Sequence, residues 1–310
     1  SYDAAIRADS FPLNSFLPAD SLGIVDLALQ ARGTGFDPLL PRTRTSLRAQ
    51  IGRAEFGGRD FGGIELDAEL DSQRLSGRIS DRDEALRLLL SVSGTLTERE
   101  QRIGLSGSVF GFDLAALGVS PEPISGSFAL DASASAAGKG AYAARIALDS
   151  IEIRNKHRTD RIRPTSVSLH TDSAATRAEA ASGDLSLTFS TPQSADSLIA
   201  ALTRSARTLA GQIDAQSIDM EQLKPALPDF ALRVSAGPDN ILNSLLKSRK
   251  IAFDALNAEG ANCDSLPVSI RLRTEGLAYG NVVLDTVTAD IRQNGKRLEY
   301  ALGLANAPGN

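Results

Sequence analysis

The chain has 310 residues, enough for one long β domain or two ordinary ones, and 42 % of them are apolar, so a core or an apolar channel can be lined. Its net charge of −5 argues against nucleic acid as a partner, and one cysteine, Cys263, builds neither a disulfide framework nor a Cys-based metal site. No apolar run approaches the ~20 residues of a spanning helix, and Ser1 opens the sequence without a leader pattern. The chain reads as a mature protein or an excised domain, with any membrane anchor outside it.

Period-two alternation dominates and predicts strands. The first clear run is Ile64–Leu70, with Ile64 and Leu66 on its apolar side. Leu86–Val92 follows, with Leu88 and Leu90 in phase and Leu89 out of it. Next come Ile103–Val109, contributing Ile103 and Leu105, and Phe128–Ala132, contributing Phe128 and Leu130. Ile146 and Leu148 form a short run, as do Val167 to Leu169, and Leu185 and Leu187 begin another that ends at Phe189. Late in the chain lie Val268–Leu272, with Ile270 and Leu272, and Leu298–Leu304, with Tyr300 and Leu302. Between the apolar residues stand Ser, Asp, Glu, Arg, Thr or Ala, so one face is apolar and the other wet, as in antiparallel meanders. Hairpin signals separate the runs: Gly57-Gly58, Gly62-Gly63, Ala137-Gly138-Lys139-Gly140, and Asn294-Gly295, the last suited to a type I′ turn.

The period changes between residues 192 and 249. After Pro192, apolar Leu198, Leu202, Ala206 and Leu209 recur at helical spacing, predicting an amphipathic helix from about Ala195 to Ala210. Met220–Leu223 suggests a short turn before Pro225. A second helix is expected from Asp239 to Lys247, opened by Pro238 and closed by a lysine at the negative dipole end. The expected organisation is therefore a β segment over 1–191, a helical insertion or cap over 192–249 and a continuing β segment over 250–310. Phe56–Ile64 can be laid without a gap over Tyr279–Val287, both reading aromatic, Gly, four residues, large apolar, two residues, β-branched. The flanking β segments therefore read as copies of one unit.

Reactive constellations are scarce. The two histidines, His157 and His170, stand in a polar turn and at the end of an alternating run. No G-x-S-x-G elbow and no P-loop occur, and Gly33-Thr34-Gly35 lacks the rest of a dinucleotide fingerprint. Asp81-Arg82-Asp83-Glu84 lacks the Gly and distal Glu of a calcium loop and reads as a solvated turn. A carboxylate pair for sugar chemistry remains open, although the absence of Trp and the four Tyr disfavour sugar platforms and base-stacking surfaces. The expectation is a protein with no catalytic residue, no metal and no cofactor. Two features suit binding. One is the basic run Arg154, Lys156, His157, Arg158, Arg161 and Arg163, which reads as a soluble hairpin tip or a contact for anionic groups. The other is the apolar face, either the core of a sandwich or the lining of an open groove.

Three stretches resemble the TamB-like branch of the AsmA family of Gram-negative bacteria. They are Phe11-Pro12-Leu13-Asn14-Ser15-Phe16-Leu17-Pro18, Ala236-Gly237-Pro238-Asp239-Asn240-Ile241-Leu242-Asn243, and Gly276-Leu277-Ala278-Tyr279-Gly280 with the later Leu302-Gly303-Leu304-Ala305-Asn306. The resemblance implies a periplasmic segment of a protein anchored in the inner membrane. It implies a long, curved, mostly antiparallel sheet folded into an open apolar groove, a β-taco lined by the residues named above. It further implies phospholipid, or another acyl-chain lipid, as cargo, and outer-membrane assembly proteins as partners. An adhesive β-sandwich module, and more remotely a carbohydrate-active enzyme on a β scaffold, are the other readings of the residues.

Overall fold

A computed structural model describes residues 1–12, 22–56, 59–138, 140–156, 158–214, 218–247, 250–263 and 266–306. The Gly57-Gly58 turn, Lys139, His157 and residues 13–18 of the first family-like stretch lie outside the described residues. The chain is all-β and antiparallel, with helix confined, among the described residues, to the 192–249 span. Its contacts divide it into two compact units. One is Ser1–Gly138 with Ala144–Ile162, and the other is Lys139–Ala143 with Arg163–Asn310.

The first unit is a meander. β1 (Tyr2–Pro12), β2 (Leu22–Thr34) and β3 (Arg44–Phe56) pair in succession, and β3 carries both the short β4 (Arg59–Phe61) and β5 (Ile64–Asp71). β6 (Arg74–Arg82), β7 (Leu86–Leu96), β8 (Glu100–Asp113) and β9 (Ser125–Ala137) continue the order, and β10 (Ala141–Arg154) turns back into β11 (Thr159–Ile162). Opposite charges face each other across the polar side: Arg48 meets Asp67 at 2.7 Å, Arg44 meets Asp71 at 2.8 Å and Arg32 meets Asp3 at 3.1 Å. Exposed pairs like these contribute little energy. They do oppose a one-residue slip, which would turn every apolar side chain outward.

The second unit runs β12 (Thr165–Thr171), β13 (Thr176–Ser182), β14 (Leu185–Thr191), β15 (Phe230–Ala236), β17 (Ala255–Cys263), β18 (Leu266–Tyr279), β19 (Val282–Asn294) and β20 (Arg297–Ala305), with the two-residue β16 (Ile251–Ala252) beside β18. Helix α1 (Ala195–Asp214), the single turn α2 (Met220–Leu223) and a 3-10 turn (Lys224–Ala226) join β14 to β15. Helix α3 (Ile241–Lys247) joins β15 to β16. The 192–249 span therefore contains, besides its helices, a full sheet strand, β15, in which Phe230, Leu232 and Val234 alternate with polar or small residues.

Turn chemistry differs from expectation at two places, the first being Gly62-Gly63, which turns no hairpin because β4 and β5 on either side of it both pair with β3. At the second, Asn294 pairs with Arg297, so the two-residue loop is Gly295-Lys296. Only Gly295, at φ 58°, takes the left-handed region there, which is the requirement of a type II′ turn. Positive φ at both central positions occurs instead at Ser72 and Gln73, at 52° and 72°, between the paired Asp71 and Arg74. The repeat proposed from sequence meets one common feature: Phe56 pairs with Arg59 as Tyr279 pairs with Val282, each across two residues.

Candidate functional site

Register gathers the apolar side chains into rows that cross the strands, because residues directly opposite in an antiparallel pair share a face. In the first unit one row runs Ile6, Leu29, Ala49, Leu66, Ile79, Leu90, Gly107, Leu130. The next runs Ala4, Ala31, Leu47, Ala68, Gly77, Val92, Leu105, Ala132. Ile103 stands in a third, between Gly94 and Ala134, and Leu88, Val109 and Phe128 make a fourth. Ile64 faces Ile51 on the same side. Small residues are interspersed with large ones along these rows. At Gly107 the space is needed, since a Cβ would run into the Leu89 carbonyl oxygen.

The second unit repeats the arrangement. Leu169, Ala178, Phe189, Leu232, Gly260, Ile270, Ile291 and Tyr300 form one row, and Val167, Ala180, Leu187, Val234, Ala258, Leu272, Ala289 and Leu302 the next. Leu185 pairs with Ser182 in the row beyond. Of the candidate lining residues, Ile64, Leu66, Leu88, Leu90, Ile103, Leu105, Phe128 and Leu130 thus share one face in the first unit, and Leu185, Leu187, Ile270, Leu272, Tyr300 and Leu302 share one in the second. Ile146 and Leu148 share a face of β10.

Burial on these faces is partial. Ala49, Leu90 and Val109 are buried, whereas Ile64, Leu66, Leu88, Leu105, Phe128 and Leu130 are half-buried and Ile103 is exposed. Inward residues of a sandwich would be closed off along the whole row. Each unit has a concavity lined mainly by residues of the charged face. One of about 580 Å³ is lined by Arg32, Arg48, Asp67, Glu69 and Arg78 among others. The other, of about 730 Å³, is lined by Arg233, Glu259, Arg271, Arg273 and Asp290 and also by Val234, Leu272, Ala289 and Leu302 of the apolar row.

In the second unit polar groups seal both strand ends. At one, Thr171 and Thr176 are buried, their hydroxyls 2.8 Å apart, and Thr171 Oγ1 accepts the first N–H of α1 from Ala195 at 3.0 Å. At the other, the buried Ser182 hydroxyl accepts the Ile241 N–H that opens α3, at 3.1 Å. Asn240 caps α3 by accepting the Asn243 N–H, and the fully buried Asn243 amide donates to the Phe253 carbonyl at 2.8 Å and the Pro238 carbonyl at 3.1 Å. Met220 and Leu223 of α2 pack on Val268 and Leu298, the only buried apolar cluster among the described residues.

Helix α1 buries little of its apolar spacing: of Leu198, Leu202, Ala206 and Leu209, Leu198 is half-buried and the other three are exposed, as are Ile199 and Ile213. The seam it buries is Ala201, Ser205 and Gln212. Ser205 donates to the Ala226 carbonyl at 2.6 Å, and Gln212 exchanges two hydrogen bonds with the backbone of Asp219, at 3.0 and 3.1 Å. Hydrogen bonds to otherwise orphaned backbone, not apolar burial, orient the helix.

The Asp81 turn also departs from expectation. Asp81 faces Leu88 on the apolar side and is buried. Its Oδ1 accepts the Asp83 N–H at 2.8 Å, and burial pushes its carboxyl above the usual carboxylate range. The basic run forms the β10–β11 hairpin tip, with Arg154, Arg158, Arg161 and Arg163 exposed and Arg158 paired to Asp160 at 2.7 Å. His170 is exposed. Among the described residues, no group of three His, Cys, Asp or Glu is placed to hold a metal, and no helix is long and apolar enough to cross a membrane. Compared with known proteins, the chain matches no family model, no curated protein and no solved structure.

Proposed function

We propose that the apolar rows hold the acyl chains of a lipid, phospholipid first, and that the sheet curves into an open trough along which lipid moves. In this reading the chain is a non-enzymatic, periplasmic segment of a bridge anchored in the inner membrane. It serves outer-membrane biogenesis and works beside outer-membrane assembly proteins. The observation that carries it is the unbroken series of apolar rows in each unit, with most of their side chains half-buried or exposed. A strand of six residues is about 20 Å long, comparable to an acyl chain. Covering apolar surface is worth about 25 cal/mol per Å². Rows mixing Leu with Ala and Gly offer that surface without a fixed notch, so a chain can slide. Lipid would lie along the rows, of which Leu272 and Leu302 also reach the concavity of the second unit.

The test is mass spectrometry of an organic extract of the purified protein, repeated for Leu105→Arg and Leu130→Arg. Stably folded variants that retain less lipid than the parent are expected. A parent that carries no lipid, with variants that unfold, would favour the adhesive sandwich, in which these leucines would face a second layer.

A further inference from the structure

Where α3 ends and β16 begins, beside the Gly280-Asn281 tip of the β18–β19 hairpin, the second unit has a further concavity of about 520 Å³. Lys247, Lys250, Ile251, Gly280 and Asn281 are among its lining, which includes no acid. Between Asp239 and Asp254 the sequence carries basic residues and no acid, and residues 276–284 carry no charge. Neither lysine forms an ion pair among the described residues. Backbone bonds fix where they stand. The Lys250 N–H donates to the Lys247 carbonyl at 3.1 Å, and the Lys250 carbonyl accepts the Gly280 N–H at 2.9 Å. Lys250 takes φ 59°, in the left-handed region that suits Gly or Asn and disfavours lysine. One cation at the end of α3 is accounted for by the helix dipole. A second, in a backbone conformation that works against it, is not. Beside them Tyr279 is 68 % exposed, although strands are paired on both its sides, through Ile251 and Val282.

We propose that this corner docks on an anionic lipid surface, with a lipid phosphate seated between Lys247 and Lys250 and Tyr279 entering the headgroup layer. The chain's net charge is −5, so attraction to an anionic surface has to be local, and the acid-free lining supplies it. Two cations are few for a nucleic-acid backbone, which takes a longer basic row. A lipid headgroup instead presents a phosphate directly above apolar chains. A tyrosine beside two lysines matches that layering, because its ring is apolar in body and polar at its tip. Each lysine near such a surface gives about a fivefold gain in affinity, so the contact is weak and screened by salt. The inference goes beyond the trough reading and does not rest on it, since no residue of the apolar rows lines this concavity.

Co-sedimentation of the whole chain with vesicles tests it, phosphatidylcholine alone against phosphatidylcholine carrying about a third phosphatidylglycerol. Binding to the anionic vesicles is expected, falling as salt rises. Lys247→Gln and Lys250→Asn should each weaken it about fivefold, and together about thirtyfold. Both lysines are exposed and Asn tolerates the left-handed backbone, so the melting temperature should hold. Tyr279→Ser should weaken binding less, without altering its salt dependence. Leu105→Arg, in the first unit, should dock as the parent does, so a failure of the trough reading leaves this contact standing. Binding to neither vesicle, equal binding to both, indifference to the double lysine change, or affinity for duplex DNA with none for vesicles would overturn the proposal.

Discussion

The two units are built from the same rows and differ in what happens at the strand ends. In the first, the described connections between strands contain no helix, and its buried apolar residues, Ala49, Leu90, Val109, Ile151 and Ile162, are scattered among half-buried ones. In the second, helices are pinned by Thr171 and Ser182 at opposite ends, and α2 adds the Met220, Leu223 and Val268 cluster. The same alternating pattern therefore supports two kinds of stability. One is spread over many cross-strand pairs, and the other is concentrated in a few sealed positions. The first kind tolerates single truncations; the second does not.

The largest expected effect follows from that contrast. Met220 is 1 % exposed in a closed cluster, so Met220→Ala should cost about 2–5 kcal/mol. Leu105→Ala, on a half-buried row, should cost only about 1 kcal/mol. Denaturant unfolding read by hydrogen exchange in each unit checks both. Equal losses would mean that the first unit's rows are closed off after all.

Next in size is Asn243→Ala. The change strands the Phe253 and Pro238 carbonyls in a site of zero exposure, at about 1–3 kcal/mol for a buried unsatisfied group. Protection should fall around α3 and β16 and stay unchanged in the first unit. A uniform loss would show the helix end to be coupled to the whole chain.

What could be read from the sequence divides along the same line. Bulky alternation announced β5, β7, β8, β14 and β20. β13, reading Thr-Arg-Ala-Glu-Ala-Ala-Ser, was silent because alanine fits either period, and it is a strand only through pairing with β12 and β14. β1 to β3 carry a weaker signal, since Ile24 to Leu29 alternates only in part. The existence of α1 was legible from its apolar spacing. Its orientation was not, because Ser205 and Gln212 declare themselves only when the Ala226 carbonyl and the Asp219 backbone stand opposite. The exposure of Tyr300 and Leu302 was equally invisible, since alternation names a face without saying whether a neighbouring strand covers it.

Acid should separate the units in opposite directions. Burial raises the Asp81 carboxyl in the first unit above its ordinary 3.8, so folding favours its protonated form. That contribution is complete below the unfolded value and is lost as pH rises through the raised one. In the second unit burial works against the Asp184 carboxylate, yet bonds from the Asn240 side chain and the Asp239 and Gly237 N–H groups bring its pKa below 3.8. Its contribution is present above 3.8 and lost as pH falls through the lowered value. Unit-resolved exchange between pH 3 and 7 should therefore show Asp81→Asn flattening the first unit's response and Asp184→Asn the second's. The same sign in both units would contradict these environments.

The smallest effect is expected at the β10–β11 tip, which belongs to the first unit and is held by local geometry. Asn155 Oδ1 accepts the Arg158 N–H at 3.0 Å, and the Asn155 N–H bonds the Arg158 carbonyl at the same distance, so backbone and one amide close the turn. The arginines add surface ion pairs to half-buried carboxylates: Arg154 with Glu152 at 3.1 Å, Arg158 with Asp160 at 2.7 Å, and Arg161 with Glu152 at 3.9 Å. Two of the three share one carboxylate, which further limits what each contributes. Pairs of this kind give about 0–1 kcal/mol and weaken with salt. Replacing Arg154, Arg158 and Arg161 together by Ser should shift the melting temperature by no more than a few degrees, less at high salt. Asn155→Ala alone should cost as much or more, since it removes the bond that sets the turn. If the triple variant instead unfolds the hairpin while Asn155→Ala does not, charge and not turn geometry organises the tip, and the first unit would have its own concentrated site of stability.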